Sequence, residues 1–175
     1  TTRAGKSFAL GLGSLLLAVL RRGEKIRLIG PTSDQAQIIM DYVQEHASDN
    51  GFIVGQVDNP TTGRLQQGDK LKSELSKTRI TFRNDSEISV HTADIRNDGN
   101  ALLGEGGSTV IVDEAERIPA SIIRNRVLRM TGDAKNSQTL MISNPTTPDR
   151  RGFMFENMSD DMWSCMRVNW EDAVR

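Results

Sequence analysis

The chain has 175 residues, of which 37% are hydrophobic and 26% are charged. This composition is typical of one folded domain and excludes a disordered tail, a collagenous chain and a low-complexity linker. Its 22 basic and 23 acidic side chains give a net charge of −1, so any nucleic-acid binding must depend on local basic patches. The single cysteine excludes an internal disulfide framework and a cysteine-rich zinc site.

The first apolar segment, Phe8 to Leu20, predicts a buried helix rather than a membrane span. It is shorter than the roughly 20 residues that cross a bilayer, and glycines interrupt it. Charged residues follow it in place of a small-residue cleavage site. The helix is predicted from Ser7 to Arg22, and because it is apolar nearly all round we expect it to be enclosed in the core. No membrane association is expected.

Later segments alternate between strand and helix patterns. Short apolar runs closed by turn or polar residues predict strands over 26–29, 110–112 and 139–142, the last two of them buried. One helix is predicted after a cap at Ser33 or Asp34, because apolar residues recur there at helical spacing: Ile38, Ile39, Tyr42 and Val43. Another helix is predicted from Pro119 to Met130. Segments 79–82 and 87–91 predict a hairpin. The sequence therefore predicts an α/β fold, with a mostly parallel sheet flanked by helices and an attached β-hairpin.

The chain opens on a pattern that is typical of phosphate-binding loops, Thr1-Thr2-Arg3-Ala4-Gly5-Lys6-Ser7, directly before the first predicted helix. Backbone N–H groups at such a helix start bind an anion, and the helix adds partial positive charge. The Lys6 ammonium would reach the β- and γ-phosphates, and the Ser7 hydroxyl would bind Mg²⁺. A surface Lys-Ser pair is the simpler alternative. The nucleotide-binding candidates are Thr2, Arg3, Ala4, Gly5, Lys6 and Ser7.

A second motif, Asp113-Glu114, follows the apolar run Thr109-Val110-Ile111-Val112. A strand that ends in two carboxylates places them at the sheet edge where open α/β sheets bind ligands. Asp113 is predicted to hold Mg²⁺ through the metal's water shell, and Glu114 to polarise the attacking water. A solvated acidic turn is the alternative for this motif alone. Together with the loop, it indicates nucleoside triphosphate hydrolysis.

A third motif is Leu140-Met141-Ile142-Ser143-Asn144-Pro145, a predicted strand that proline stops. In a sheet with an extra strand between the two motif strands, Asn144 would face the γ-phosphate and report its hydrolysis. With Arg3-Ala4-Gly5-Lys6-Ser7, Asp113-Glu114-Ala115, Ser143-Asn144-Pro145 and Gly152-Phe153 in this order, the chain resembles the ATPase domain of the large terminase subunit of tailed bacteriophages. That domain is the motor that pumps DNA into procapsids.

The resemblance implies a P-loop NTPase fold of the ASCE type, with Arg3 inside the loop, Glu114 as the catalytic carboxylate and Asn144 in the coupling motif. It implies ATP and Mg²⁺ as cofactors, and double-stranded DNA, the portal protein and the small terminase subunit as partners. A ring-forming homo-oligomer is expected in the host cell cytoplasm, at the procapsid portal. Residues 1–175 would form a single ATPase domain, with its first strand upstream of this chain and a nuclease domain downstream.

Two basic groups are candidates for DNA contact, although a solvated charged face is the commoner meaning of such groups. One consists of Arg117, Arg124, Arg126 and Arg129, and the other of Lys70, Lys72, Lys77 and Arg79. In motors of this kind a neighbouring subunit often supplies an arginine that stabilises transition-state charge. The candidates for that role are Arg96, Arg124 and Arg150, and the sequence does not choose among them.

Two other functions share parts of these patterns. A superfamily-2 helicase has the same loop and an Asp-Glu-Ala-type motif, but its second RecA-like domain would not fit in this length. Ser143-Asn144-Pro145 is also a poor match to the helicase Ser-Ala-Thr motif. A nucleotide-binding switch without turnover is the third possibility, and Glu114 argues against it.

Overall fold

A computed structural model of the chain describes residues 5–54, 56–57, 78–132, 136–144 and 152–166. The strands are β1 (Lys25–Gly30), β2 (Arg79–Thr81), β3 (Glu87–Thr92), β4 (Thr109–Val112) and β5 (Gln138–Met141). The helices are α1 (Lys6–Leu20), α2 (Ser33–Ser48), α3 (Gly51–Val54), α4 (Ala120–Ile122) and α5 (Phe153–Asn157). The α4 helix continues as a π-type segment, Ile123–Val127, and a 3-10 turn, Leu128–Thr131.

The strands form one five-stranded sheet in the order β2-β3-β1-β4-β5. Only β2 runs antiparallel, against β3, and the other described neighbours are parallel. This arrangement confirms the predicted α/β fold, and the hairpin joins the sheet through β3. Ile29 of β1 lies opposite Val112 of β4, which lies opposite Met141 of β5. The carboxyl ends of these three strands therefore meet at one edge of the sheet.

Both faces of the sheet carry a core because successive strand residues point to opposite sides. Ile26, Leu28 and Ile111 pack with α1 and α2 on one face. Ile29, Val110 and Val112 pack on the other face with the segment that contains α4 and with Phe153 of α5. The sheet is therefore held between two helical layers, which fixes the positions of the loops at its edges.

The expectation that α1 is enclosed on all sides is wrong. Its buried residues, Leu10, Gly11, Ser14, Leu15 and Ala18, form one stripe against α2 and the sheet. On the other side of the helix Leu16 is 45% exposed and Leu20 is 78% exposed. The expectation of a buried β5 is wrong as well, because Leu140 is 48% exposed. Within the described part of the chain β5 pairs only with β4, so its other edge is uncovered.

Two helix boundaries also differ from the prediction. The N-cap of α2 is Thr32, whose hydroxyl accepts a hydrogen bond from the Gln35 N–H at 3.4 Å, rather than Ser33 or Asp34. The segment predicted as one regular helix up to Met130 is helical along its length but changes from α to π and then to 3-10 geometry. Lys70, Lys72 and Lys77 of the second basic group lie outside the described residues.

Candidate nucleotide site

The amino end of α1 is open to solvent. Gly5 is its N-cap at φ 69°, in the left-handed region that glycine adopts without strain from a Cβ. The Gly5 carbonyl accepts the first helical hydrogen bond, from the Ala9 N–H at 2.9 Å. In the described part of the chain no side chain caps this helix, and its first turn carries no acidic residue. Its free N–H groups are therefore available to an anion.

The carboxylate of Asp113 lies directly beyond β4 and is buried, with 5% of the residue exposed. Its backbone N–H donates to the Ile29 carbonyl at 2.9 Å, which extends the pairing with β1 by one residue. The Ser7 hydroxyl donates to Asp113 Oδ2 at 3.3 Å, and the Glu114 N–H donates to Oδ1 at 2.9 Å. These bonds hold the Asp113 carboxylate against the amino end of α1.

Glu114 and Asn144 extend this hydrogen-bonded group. Glu114 has a φ of 49°, a left-handed conformation that costs a non-glycine residue about 1–2 kcal/mol. Asn144 follows β5, and its Nδ2 donates to Glu114 Oε1 at 3.2 Å. The Asn144 Oδ1 accepts a hydrogen bond from Lys6 Nζ at 2.7 Å. Asn144 therefore bridges the loop lysine and the second carboxylate.

These side chains line a pocket of about 420 Å³, which is within the usual range for small-molecule sites. The opposite wall consists of Phe8, Gln35, Ile38 and Tyr42. The sequence did not indicate this wall, in which Ile38 is 47% exposed. The Phe8 and Tyr42 rings pack edge to face, with centroids 5.7 Å apart. Only the position of Phe8, directly after Ser7, was a usable signal.

The oxygen donors of this pocket suit Mg²⁺ better than they suit a metal whose ligands all come from the protein. Mg²⁺ keeps several waters and takes one or two protein oxygens together with substrate phosphates. The Ser7 hydroxyl and the Asp113 carboxylate, which touch at 3.3 Å, are such a pair. Among the residues that the structure describes, no group of three His, Cys, Asp or Glu side chains could hold a metal.

The family model for the N-terminal part of T4likevirus-type terminase large subunits matches residues 2–174. The chain belongs to this family. No curated protein matches significantly. The fold is similar to that of the large terminase ATPase domain of Thermus phage P74-26, with 24% identity and a TM-score of 0.61. It is also similar to the large terminase of bacteriophage HK97, with 15% identity and a TM-score of 0.63.

The alignments cover 82% and 85% of this terminase chain. They cover 57% of the first solved protein and 28% of the second, so the chain spans well under two thirds of either. Both similarities concern the fold. Terminase ATPase domains have the P-loop ASCE fold, which is the fold that the sequence resemblance implied. The family match favours a terminase over the helicase alternative.

The three arginines considered as donors to a neighbouring terminase subunit have different surroundings. Arg124 is paired with Glu156 at 3.0 Å and lies over the Phe153 ring, so it ties the segment after α4 to α5. Arg96 is exposed in the turn Ile95–Asn97 and does not line the pocket. Arg150 lies outside the described residues, as do Thr2, Arg3 and Ala4 of the loop. None of the helices in the described ranges is long and apolar enough to span a membrane.

Proposed function

We propose that this terminase domain is an ATP-hydrolysing motor that drives double-stranded DNA into a procapsid. The observation that carries the proposal is the hydrogen-bonded group of Lys6, Ser7, Asp113, Glu114 and Asn144 in one pocket. The open amino end of α1 and the Lys6 ammonium suit phosphates. The Ser7 hydroxyl and the Asp113 carboxylate suit Mg²⁺, and Glu114 adds a second carboxylate. Family membership supports the same function.

Each side chain has a distinct role in this proposal. The free N–H groups of α1 and the Lys6 ammonium hold the phosphates, with Arg3 as a further contact from the loop. Ser7 and Asp113 would hold Mg²⁺, which would neutralise charge on the phosphate oxygens. Glu114 orients and polarises the attacking water, because its carboxylate faces the same pocket and Asn144 fixes one of its oxygens at 3.2 Å.

In this proposal Asn144 couples hydrolysis to the rest of the molecule. A bound γ-phosphate would compete with Asn144 for the Lys6 ammonium, which Asn144 otherwise holds at 2.7 Å. Hydrolysis would return Lys6 to Asn144 and so alter the position of the end of β5. That end is connected to the acidic turn, since the Ala115 N–H donates to the Ile142 carbonyl at 3.1 Å. The nucleotide state would therefore change the positions of the end of β5 and of the acidic turn together.

Replacing Glu114 with glutamine tests the catalytic role against a switch without turnover. The amide keeps an oxygen for the Asn144 Nδ2 but cannot polarise water, so we expect kcat to fall about 10²- to 10⁴-fold. Nucleotide affinity should change less than about threefold, because no phosphate contact is removed. Steady-state phosphate release and titration with a labelled triphosphate analogue measure the two quantities. Glu45→Gln, at an exposed carboxylate on α2, is the control.

Unchanged turnover in Glu114→Gln would reject the catalytic assignment and favour a switch. These assays should compare the 175-residue chain with one extended upstream of Thr1, since we propose that the strand feeding the loop pairs with the uncovered edge of β5. We expect the shorter chain to bind and hydrolyse ATP more weakly. Robust turnover by the shorter chain alone would contradict that expectation.

The working form that we propose is a ring of identical subunits at the procapsid portal in the host cytoplasm, in contact with the portal protein and the small terminase subunit. A neighbouring subunit would supply Arg96, Arg124 or Arg150 to the triphosphate, and Arg124 would first have to leave Glu156. Mixing Lys6→Ala subunits with Arg96→Ala subunits tests the first candidate. Recovered hydrolysis would support a trans role, and no recovery at any mixing ratio would exclude Arg96.

A further inference from the structure

A second cavity, of about 630 Å³, opens at the edge of the sheet opposite the nucleotide pocket. It is lined by the amino ends of β1 and β4, by the glycine-rich segment 104–107 and by residues of the helical segment that follows α4. Since β1 has six residues, each advancing by about 3.3 Å, the two sites are separated by roughly 20 Å. The cavity is therefore not part of the site for hydrolysis.

The cavity is basic, although the whole chain has a net charge of −1. Its charged lining residues are Lys25, Arg27, Arg126, Arg129 and Glu105. The Glu105 carboxylate is 3.9 Å from His91, and the buried Arg27 guanidinium is paired with Glu87. Lys25 Nζ and the Arg129 guanidinium, both on exposed residues, make no hydrogen bond or ion pair with any described residue. Two cations that no described residue neutralises therefore border the cavity.

The backbone of the glycine-rich segment adds hydrogen-bond donors. Gly106 accepts a hydrogen bond from Arg27 Nε at 2.8 Å, and the Gly107 N–H donates to the Met130 carbonyl at 2.9 Å. These bonds fix the segment before any ligand binds. The N–H groups of Gly104 and Gly106 make no hydrogen bond to the described residues. Free backbone N–H groups beside unpaired cations are the elements from which proteins build phosphate sites.

We propose that this cavity binds phosphate groups of a DNA backbone and holds the duplex at the sheet edge opposite the nucleotide pocket. The identity of the ligand rests on the proposed packaging function, whereas its anionic chemistry rests on the cavity alone. Ammonium, guanidinium and backbone N–H donors contact phosphates without reading bases. Arg126 is held in place for this contact, because Nε donates to the Asp98 carbonyl at 3.2 Å and Nη2 donates to Asn100 at 3.2 Å.

The test compares two double variants that each remove two positive charges. Lys25→Ala/Arg129→Ala removes the two cations of the cavity that have no described partner, and Arg21→Ala/Arg22→Ala removes two exposed charges outside the cavity lining. Anisotropy of a labelled duplex is followed from low to moderate salt, with thermal unfolding as a check on folding. The cavity variant should lose affinity about tenfold, and its slope of log K against log salt should shrink by about 1–2. The control variant should lose much less.

Equal losses in both variants, or no loss in the cavity variant, would overturn the proposal. Titration with inorganic phosphate, followed through the Gly104 and Gly106 amide resonances, separates a free anion from DNA. Shifts in the parent but not in Lys25→Ala/Arg129→Ala support the cavity chemistry. Phosphate binding without duplex binding overturns the DNA assignment. Because hydrolysis is measured separately, failure of this site and failure of the proposed motor are distinguishable.

Discussion

Adding one methyl group at Gly11 should disturb the packing that positions the candidate site. Gly11 lies on the buried stripe of α1 where that helix crosses α2. A Cβ there would lie 2.7 Å from Tyr42 Cβ, 3.2 Å from the Ile39 carbonyl oxygen and 3.3 Å from the Val43 nitrogen. None of these atoms is the end of a flexible side chain, so the helices must separate. Overpacking of this kind costs about 1–3 kcal/mol.

Gly13 provides a matched control two residues along the same helix. A Cβ at Gly13 meets nothing within 4 Å, so Gly13→Ala should gain only helix propensity, about 0.5–1 kcal/mol. The propensity gain is common to both substitutions. The difference in unfolding free energy between the two variants therefore measures the overpacking alone, and about 1–3 kcal/mol is equivalent to about 2–12 °C in Tm for a domain of this size.

Thermal unfolding followed by circular dichroism gives the stability difference, and titration with a labelled triphosphate analogue gives the effect on the site. Because α1 also carries Lys6 and Ser7, Gly11→Ala should weaken nucleotide binding whereas Gly13→Ala should not. Equal stability of the two variants would refute the close approach of α1 and α2. Lower stability with unchanged nucleotide affinity would refute the link between this packing and the site.

The remaining predictions concern phosphate binding, pH and the contact beneath α5. Lys6→Ala should weaken triphosphate binding by about tenfold or more, since a charge-assisted contact is lost; equal affinity in a titration would contradict the role of Lys6. Burial lowers the pKa of His91 below its ordinary value of 6.5, so the unfolded chain takes up a proton first as pH falls. Its stability contribution is therefore complete above about pH 6.5 and declines below it, by at most about 1.4 kcal/mol per pH unit. The Tm of the parent should fall more than that of His91→Gln between about pH 7.5 and 5.5, and parallel curves would exclude this linkage. Gly152→Ala should lower Tm, because the added Cβ would overlap the Glu116 carboxylate. That carboxylate accepts a hydrogen bond from the Phe155 N–H, which the overlap would disturb. An unchanged Tm would show that this contact is loose.

The order of elements was predictable because local patterns determine it. The apolar runs around Leu28 and Ile111 are short and closed by turn or polar residues, and both form strands of the sheet. The hairpin was predictable because apolar residues alternate on both sides of a turn. The convergence of the acidic pair and the loop also had a local basis, since parallel strands bring their carboxyl ends to one edge and a following helix begins there. The roles of these side chains remain predictions.

Other features were decided only by contacts between distant parts of the chain. The composition of α1 predicted burial all round, but its packing against α2 covers one stripe and leaves Leu16 exposed. The same packing makes Ile38 part of the wall of the pocket. Neither outcome is encoded in a local pattern, because each depends on where a second helix crosses the first.

The amino-acid sequence by itself determined which residues are candidates for the chemistry and at which edge of the sheet they lie. Spacing and residue type contain that information, since strand direction and helix starts are local properties. The tertiary structure alone decided that Asn144 joins Lys6 to Glu114, that Arg124 is occupied by Glu156, and that cations without a partner among the described residues border a cavity at the opposite edge. Those are pairings across large sequence separations, and they exist only once strand register and helix packing have brought the side chains together.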